Sequence, residues 1–478
     1  MDKIKLPTNF ELPVTLVGKL LILCGCGFFA LVSNVAWAAP IVPDSFSTTW
    51  QTDNSGSSGA DQVNFSLGAG GGGETCSGTI YWEEVGNDSN NGSSTLDSSC
   101  NLETITFPTG GTYRIDILGT HPSFRLMGDQ EKLLTVEQWG ENVWETMRQM
   151  FSGAVNLEIN ASDVPDLSLV INLSEMFENA SGFNSPIGDW DVSNVEVMRE
   201  MFRGAIAFNQ DISAWDVSSV TQTIGMFRDA TAFNQPLDTW NTSKFYGMSS
   251  MFFGATAFNQ DISSWDTAMV TGMSNMFRDA TAFNQPLNNW NVAEVVDMDM
   301  VFSGATSFNQ PLGDWDLSSQ PCQELGFNIW NFFFNTAYAC VGSQFDMTDI
   351  FADSGIDAEN YATTLLGWAA LSVIPEDINL GSVPSTYCDT AQTARDLLVT
   401  NGWLISDEGV TPCVSEETES SGGSSATRVG DRIKSYFFST TSTSTALVVT
   451  KESFVQSVRD FSKYLIISRK PTITLADS

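Results

Sequence analysis

Met276-Phe-Arg-Asp-Ala-Thr-Ala-Phe-Asn-Gln-Pro-Leu-Asn-Asn-Trp290 decides how this chain is read, because its pattern returns every 25 residues. Met-Phe, or a variant of it, stands at Met176, Met201, Met226, Met251, Met276 and Val301. Phe-Asn follows at Phe183, Phe208, Phe233, Phe258, Phe283 and Phe308. Tryptophan closes each copy at Trp190, Trp215, Trp240, Trp265, Trp290 and Trp315. Repetition at a fixed period of this length marks a stacked-repeat architecture, in which each copy buries its apolar side against its neighbours.

Val195, Met198, Met201 and Phe202 fall at helical spacing, as do Val270, Met273, Met276 and Phe277. This predicts one short helix per copy with Met and Phe on its inner side. Phe208, Ile212 and Trp215 then predict an extended segment, and Asp216-Val-Ser218 a turn back. The expected fold is an α/β solenoid of 25-residue repeats, one short strand and one short helix per coil, over residues 176–319. Residues 126–175 read as an N-terminal cap with degenerate copies, and Lys132 to Ala154 as helical in pattern.

Phe258-Asn-Gln-Asp-Ile-Ser-Ser-Trp265 and Met276-Phe-Arg-Asp-Ala-Thr-Ala-Phe-Asn-Gln285 resemble the BspA-type surface proteins, the bacterial surface protein 26-residue repeat family. The resemblance implies a leucine-rich-repeat-like coil in a secreted or surface-attached protein. Several members are linked to adhesion, and the family's partners are mostly undefined.

Ahead of the repeats, Phe46–Trp50, Thr79–Trp82, Glu103–Phe107 and Thr112–Leu118 alternate apolar and polar residues between Gly, Pro and Asn. Such runs predict a small all-β sandwich over 39–125. Gly110-Gly-Thr-Tyr-Arg-Ile115 resembles the end of a PKD-like, immunoglobulin-like domain, although that module's Asp-Gly-Asp turn is missing. Beyond Trp315, residues 320–412 read as an insertion and a C-terminal cap, with helices near Ala362–Ala370 and Ala391–Leu398. A linker at 413–427 leads to a tail at 428–478 with eight basic and four acidic residues.

Charge and residue type bound the function. The chain carries 57 acidic and 21 basic residues, a formal charge of -36, so nucleic acid is discounted as a partner of the main body. His121 is the chain's one histidine and reads as a loop residue. A Ser-His-Asp triad and multi-histidine zinc sites are nearly excluded on that count. A pair of carboxylates working as a glycoside hydrolase remains a third reading.

Lys3, Lys5 and Lys19, the apolar run Leu20–Val32 and Ala36-Trp-Ala38 describe a secretory signal over 1–38, with an uncleaved anchor as the alternative. Six cysteines remain beyond it, and nearest-neighbour pairing gives Cys76–Cys100, Cys322–Cys340 and Cys388–Cys413. Six cysteines allow 15 pairings, so other connectivities stay open.

The Met, Phe, Asn and Trp columns read as interior. Function, in a stack of this kind, belongs to exposed positions where the copies differ. The Asp and Asn residues flanking Trp, with those after Asn-Gln, form a candidate ligand ridge: Asp189, Asp191, Asp211, Asp216, Asn241, Asp261, Asp266, Asn289, Asn291, Asp314 and Asp316. The ridge could take calcium or a sugar face. It could equally consist of turn residues chosen for local hydrogen bonds, the reading that leads. No catalytic residue, resident metal or cofactor is assigned. The chain reads as an exported, non-enzymatic surface protein binding an extracellular protein or glycan through its repeats. The alternative is an envelope scaffold held by the basic tail.

Overall fold

The structure, a computed structural model, describes residues 42–68, 75–318 and 345–413. These residues form thirteen strands and two α-helices, so the described chain is mostly β. The segment 1–38 read as a secretory signal, the expected Cys322–Cys340 pairing, and nearly all of the linker and tail from 413 onward lie outside the described residues.

Nine strands build the N-terminal part: β1 (Phe46–Gln51), β2 (Gln62–Ser66), β3 (Ser77–Glu84), β4 (Asn87–Thr95), β5 (Leu102–Thr106), β6 (Thr112–Thr120), β7 (Arg125–Leu126), β8 (Leu133–Gln138) and β9 (Glu158–Ile159). One sheet runs β4-β3-β6-β1-β8-β9 and a second β5-β2-β7. Alternation places Val63 and Phe65 of β2 inward. They share a core with Trp50, Ile80, Ile115 and Ile117 of the larger sheet, and the Trp50 and Phe65 rings lie 6.1 Å apart.

The helical pattern read at 132–154 is corrected. Leu133–Gln138 is strand β8, antiparallel to β1 and parallel to β9, and no α-helix lies between 132 and 154. The open edge of β1 offers a full row of hydrogen-bond partners, and that tertiary demand outweighs apolar spacing. Trp139, Trp144, Met147, Met150 and Phe151 are buried from a succession of turns. Because β8 pairs with β9, the sheet runs directly into the first copies.

The repeats overturn the expected solenoid of a strand and a helix per coil. Residues 160–318 contain no helix, and their only β pairing is by single-residue parallel bridges such as Val197↔Gln222 and Gly247↔Gly272. Two residues in most copies explain why. The residue before Met is left-handed at Glu200 (φ 52°), Gly225 (63°), Ser250 (57°), Asn275 (57°) and Met300 (54°). So is the third residue after it, at Gly204 (66°), Asp229 (56°), Gly254 (66°), Asp279 (57°) and Gly304 (72°). Two left-handed residues four positions apart leave no room for an α-helix.

The backbone runs instead as consecutive tight turns, closed by Met201 N–H to Met198 O, Ala205 N–H to Phe202 O and Phe208 N–H to Ala205 O. Three-residue turns also return an apolar side chain inward every third or fourth position, which imitates a helical period. The remaining amides cross to the next copy. Phe202 donates to Met226 O, Phe227 to Met251 O and Phe252 to Met276 O, each at 2.9 Å.

Stacking aligns like with like. Phe202, Phe227, Phe252 and Phe277 follow one another at centroid separations of 5.6–5.7 Å, with planes within 7° of parallel. From Trp215 onward each Trp of the column spends its indole N–H on a carbonyl 28 residues back, as Trp215 on Ile187, Trp240 on Ile212 and Trp265 on Leu237.

The C-terminal end is closed by α1 (Ala358–Ala369), β10 (Asn379–Ser382), β11 (Tyr387–Cys388), α2 (Gln392–Thr400), β12 (Leu404–Ser406) and β13 (Val410–Thr411). Asp357 caps α1 by accepting the amides of Glu359 and Asn360. Trp368 of α1 lies against Phe351, at 6.4 Å, covering the last Phe of the column. The structure joins Cys76 to Cys100 and Cys388 to Cys413. Among the described residues no helix is long and apolar enough to cross a membrane.

Candidate functional site

All eleven ridge residues are exposed. Eight of them close local turns: Asp191 on Ser193, Asp211 on Ser213, Asp216 on Ser218, Asn241 on Ser243, Asp261 on Ser263, Asp266 on Ala268, Asn291 on Ala293 and Asp316 on Ser318. Each side-chain oxygen accepts the amide two residues on, at 2.9–3.2 Å. This is the Asx turn, for which Asp and Asn are favoured. The Ser193, Ser213, Ser218 and Ser263 hydroxyls, followed by their backbone amides, hold Asp191, Asp211, Asp216 and Asp261 below the usual carboxylate range. Asp189, Asn289 and Asp314 make no hydrogen bond among the described residues.

The ridge is therefore a series of turns, with one or two carboxylates or amides per coil. Among the described residues no three His, Cys, Asp or Glu side chains are grouped to hold a metal ion. The ridge oxygens are spread along the stack, and eight of the eleven residues are committed to their own turns, which is a poor match to the six to eight converging oxygens of a calcium site.

The asparagine column is structural. Asn209 N–H donates to Asn184 Oδ1, Asn234 to Asn209, Asn259 to Asn234 and Asn284 to Asn259, each at 2.9 Å. Gln235 Nε2 adds bonds to the backbone O and Oδ1 of Asn209 at 3.0 Å. Asp357 ends the ladder by donating its amide to Asn309 Oδ1 at 2.9 Å and accepting from Asn309 Nδ2 on its carboxylate at 2.7 Å. The cap of α1 thus stands where a further Asn would.

His121 lies in a loop, as its sequence context suggests, but inside the protein. It is 2 % exposed, with the Trp144 ring 5.0 Å away and Phe46 at 6.3 Å. Its Nδ1 lies 3.0 Å from the Ser123 carbonyl oxygen. Burial lowers its pKa to about 4, against the opposing effect of the Ser123 bond. Nothing about this neutral, enclosed imidazole resembles a proton shuttle open to substrate.

A second surface was hidden by the regularity of the Met and Phe columns. All five arginines of residues 145–318 lie two residues from a Met position: Arg148 and Arg199 before it, Arg203, Arg228 and Arg278 after it. Carboxylates are interleaved, with Arg148 on Glu175 at 3.1 Å and Arg203 on Glu178 at 3.3 Å and Glu200 at 3.0 Å. Phe253 takes the arginine's place in one copy, between Arg228 and Arg278. The signal was present in the sequence as a sixth column, and it is diluted because only three of six copies carry Arg there.

A family model described as "Mycoplasma protein of unknown function, DUF285" matches residues 145–252 and 236–333. The chain is similar to that family over its repeats. No curated protein and no solved structure matches the chain.

Proposed function

We propose that this chain is an exported surface protein whose repeats, of the BspA type, bind an extracellular protein or glycan without catalysing a reaction. The observation that carries the reading is the division of labour within each copy. The repeated Phe, Asn and Trp side chains are spent on packing and on copy-to-copy hydrogen bonds. The Asp and Asn side chains that differ between copies beside each Trp are exposed. A rigid stack that offers rows of side chains at one-coil spacing suits multivalent contact with an extended partner. The basic tail, opposite in charge to the rest of the chain, would hold the protein to an anionic envelope.

The test is attachment of the purified full chain to immobilised cells, matrix proteins and a glycan array. Saturable attachment that survives deletion of 428–478 supports binding through the repeats. Attachment lost with the tail alone supports the envelope-scaffold alternative. Absence of attachment to every surface refutes the reading.

A further inference from the structure

The surface around Phe253 holds a cation whose hydrogen-bonding capacity is unspent. The guanidinium carbon of Arg228 lies 4.6 Å from the Phe253 ring centroid, and that of Arg278 lies 5.4 Å from it. Both are within cation–π range, so the ring is flanked by a guanidinium from the copy before and one from the copy after. Arg278 is engaged, donating from Nη1 to Asn275 Oδ1 at 3.2 Å. The Arg228 side chain makes no hydrogen bond among the described residues, and its Nε is buried without one. Its nearest carboxylate is Asp229 Oδ2 at 3.5 Å from Nε, on a side chain half exposed to water. Stacking therefore fixes the plane of the Arg228 fork and leaves its two Nη groups without a hydrogen bond among the described residues, while Nε faces Asp229. A planar fork already held in place loses little freedom when it takes a carboxylate through two parallel bonds.

Charge decides the class of partner. Elsewhere the repeats expose the Asp and Asn rows, with Lys244 their one other basic residue. Even on this face Glu178, Glu200, Asp229 and Asp279 stand among the arginines. A uniformly charged polyanion lying along the stack meets repulsion at nearly every coil. A polypeptide can set one carboxylate at the fork and neutral or apolar residues beside Phe253, and Arg with an aromatic neighbour is the pairing that dominates protein interfaces. We propose that the face centred on Phe253 is the protein-docking surface of the stack, and that Arg228 binds a single carboxylate set among neutral and apolar residues of the partner. This rests on the binding reading above and names its face and chemistry.

The experiment uses the full chain and a fluorescein-labelled decapeptide of Ser and Leu with one central Glu, with its Gln-for-Glu counterpart and an oligogalacturonate as comparisons. Fluorescence anisotropy should show saturable binding of the Glu peptide and none of the Gln peptide. Arg228→Lys, which keeps the charge and loses the fork, should weaken binding at least tenfold with an unchanged thermal midpoint. Phe253→Leu, which keeps apolar volume and loses the stack, should weaken it severalfold. No saturable binding of the Glu peptide, equal binding by Arg228→Lys, or preference for the oligogalacturonate overturns the proposal. Attachment to cells or matrix by Arg228→Lys at the wild-type level would sink this site and leave the general binding reading standing. Failure of the wild-type chain to attach to anything removes the general reading itself.

Discussion

Replacing Gly254 by Ala tests how neighbouring copies fit together. Gly254 has φ +66°, and a Cβ built there lies 2.4 Å from Asp229 Oδ1, in the copy before. Two costs follow. A left-handed conformation costs an Ala roughly 1–2 kcal/mol. Displacing the Asp229 carboxylate adds an overpacking cost of about 1–3 kcal/mol, at the lower end because that oxygen terminates a short, movable side chain. The expected loss is therefore about 2–4 kcal/mol, read as a shift in the urea midpoint by tryptophan fluorescence. Two controls separate the terms. Gly409→Ala also has positive φ (+92°) but meets nothing within 4 Å, so it reports the backbone cost alone. Asp229→Gly removes the obstructing oxygen. Gly254→Ala in that background should cost only the backbone share, a coupling of about 1 kcal/mol or more. If Gly254→Ala costs no more than Gly409→Ala, or if Asp229→Gly leaves its cost unchanged, the steric account is wrong.

Other outcomes follow from the same geometry. Burial holds His121 neutral in the folded chain with a pKa of about 4, against 6.5 when exposed. The unfolded chain therefore takes up the proton first as pH falls. The associated stability is complete above pH 6.5, declines below it and is gone near pH 4, a loss of roughly 3 kcal/mol that His121→Phe should abolish in pH-dependent denaturation. Trp265→Phe keeps the ring in its column but leaves the Leu237 carbonyl oxygen without its indole partner at 2.9 Å, which should cost about 1–3 kcal/mol by thermal melting. Cys100→Ser opens the Cys76–Cys100 bridge, whose sequence separation of 24 corresponds to a loss of roughly 3–4 kcal/mol in denaturant unfolding.

Much of the architecture was legible because identical environments select identical residues. Met276, Phe283 and Trp290 announce the copy and its inward face, and the alternation at Phe46–Trp50 or Thr112–Leu118 announces strands. What misled was the period itself. Val195, Met198, Met201 and Phe202 are spaced as on a helix, yet a chain of three-residue turns produces the same spacing. The distinguishing information lay in the residues between, at Gly204, Asp229, Asn275 and Asp279, which tolerate positive φ. On the ridge, Asp-x-Ser at Asp191, Asp211, Asp216 and Asp261 marks the Asx turns. The Arg228–Phe253–Arg278 stack was illegible as a site, since it depends on three residues from three copies whose side chains meet only after stacking.

The left-handed column also sets a period longer than 25. Reading down it, Asn179 precedes Gly204, Asp229 precedes Gly254 and Asp279 precedes Gly304, and each Gly has its missing Cβ position taken by the preceding side-chain oxygen, at 2.2–2.5 Å. The same relation recurs where Asp349 meets Gly381 and Asp377 meets Gly402. Asp211, Pro236, Asp261 and Pro286 alternate in step with it. The mechanical unit is thus a pair of copies, one lending an oxygen and one lending a space. Deletion of one copy should then depend on which copy is lost. Removing 226–250 sets Gly254 after Gly204, which is sterically permitted. Removing 251–275 sets Asp279 after Asp229, so that a Cβ meets a carboxylate oxygen and two like charges face each other. Both deletions shorten the stack by one copy and lose similar packing, so their difference in denaturation midpoint isolates the column. The second deletion should be the less stable by about 1–3 kcal/mol. Equal stability of the two chains would mean that the alternation records how the copies were duplicated and has no mechanical role.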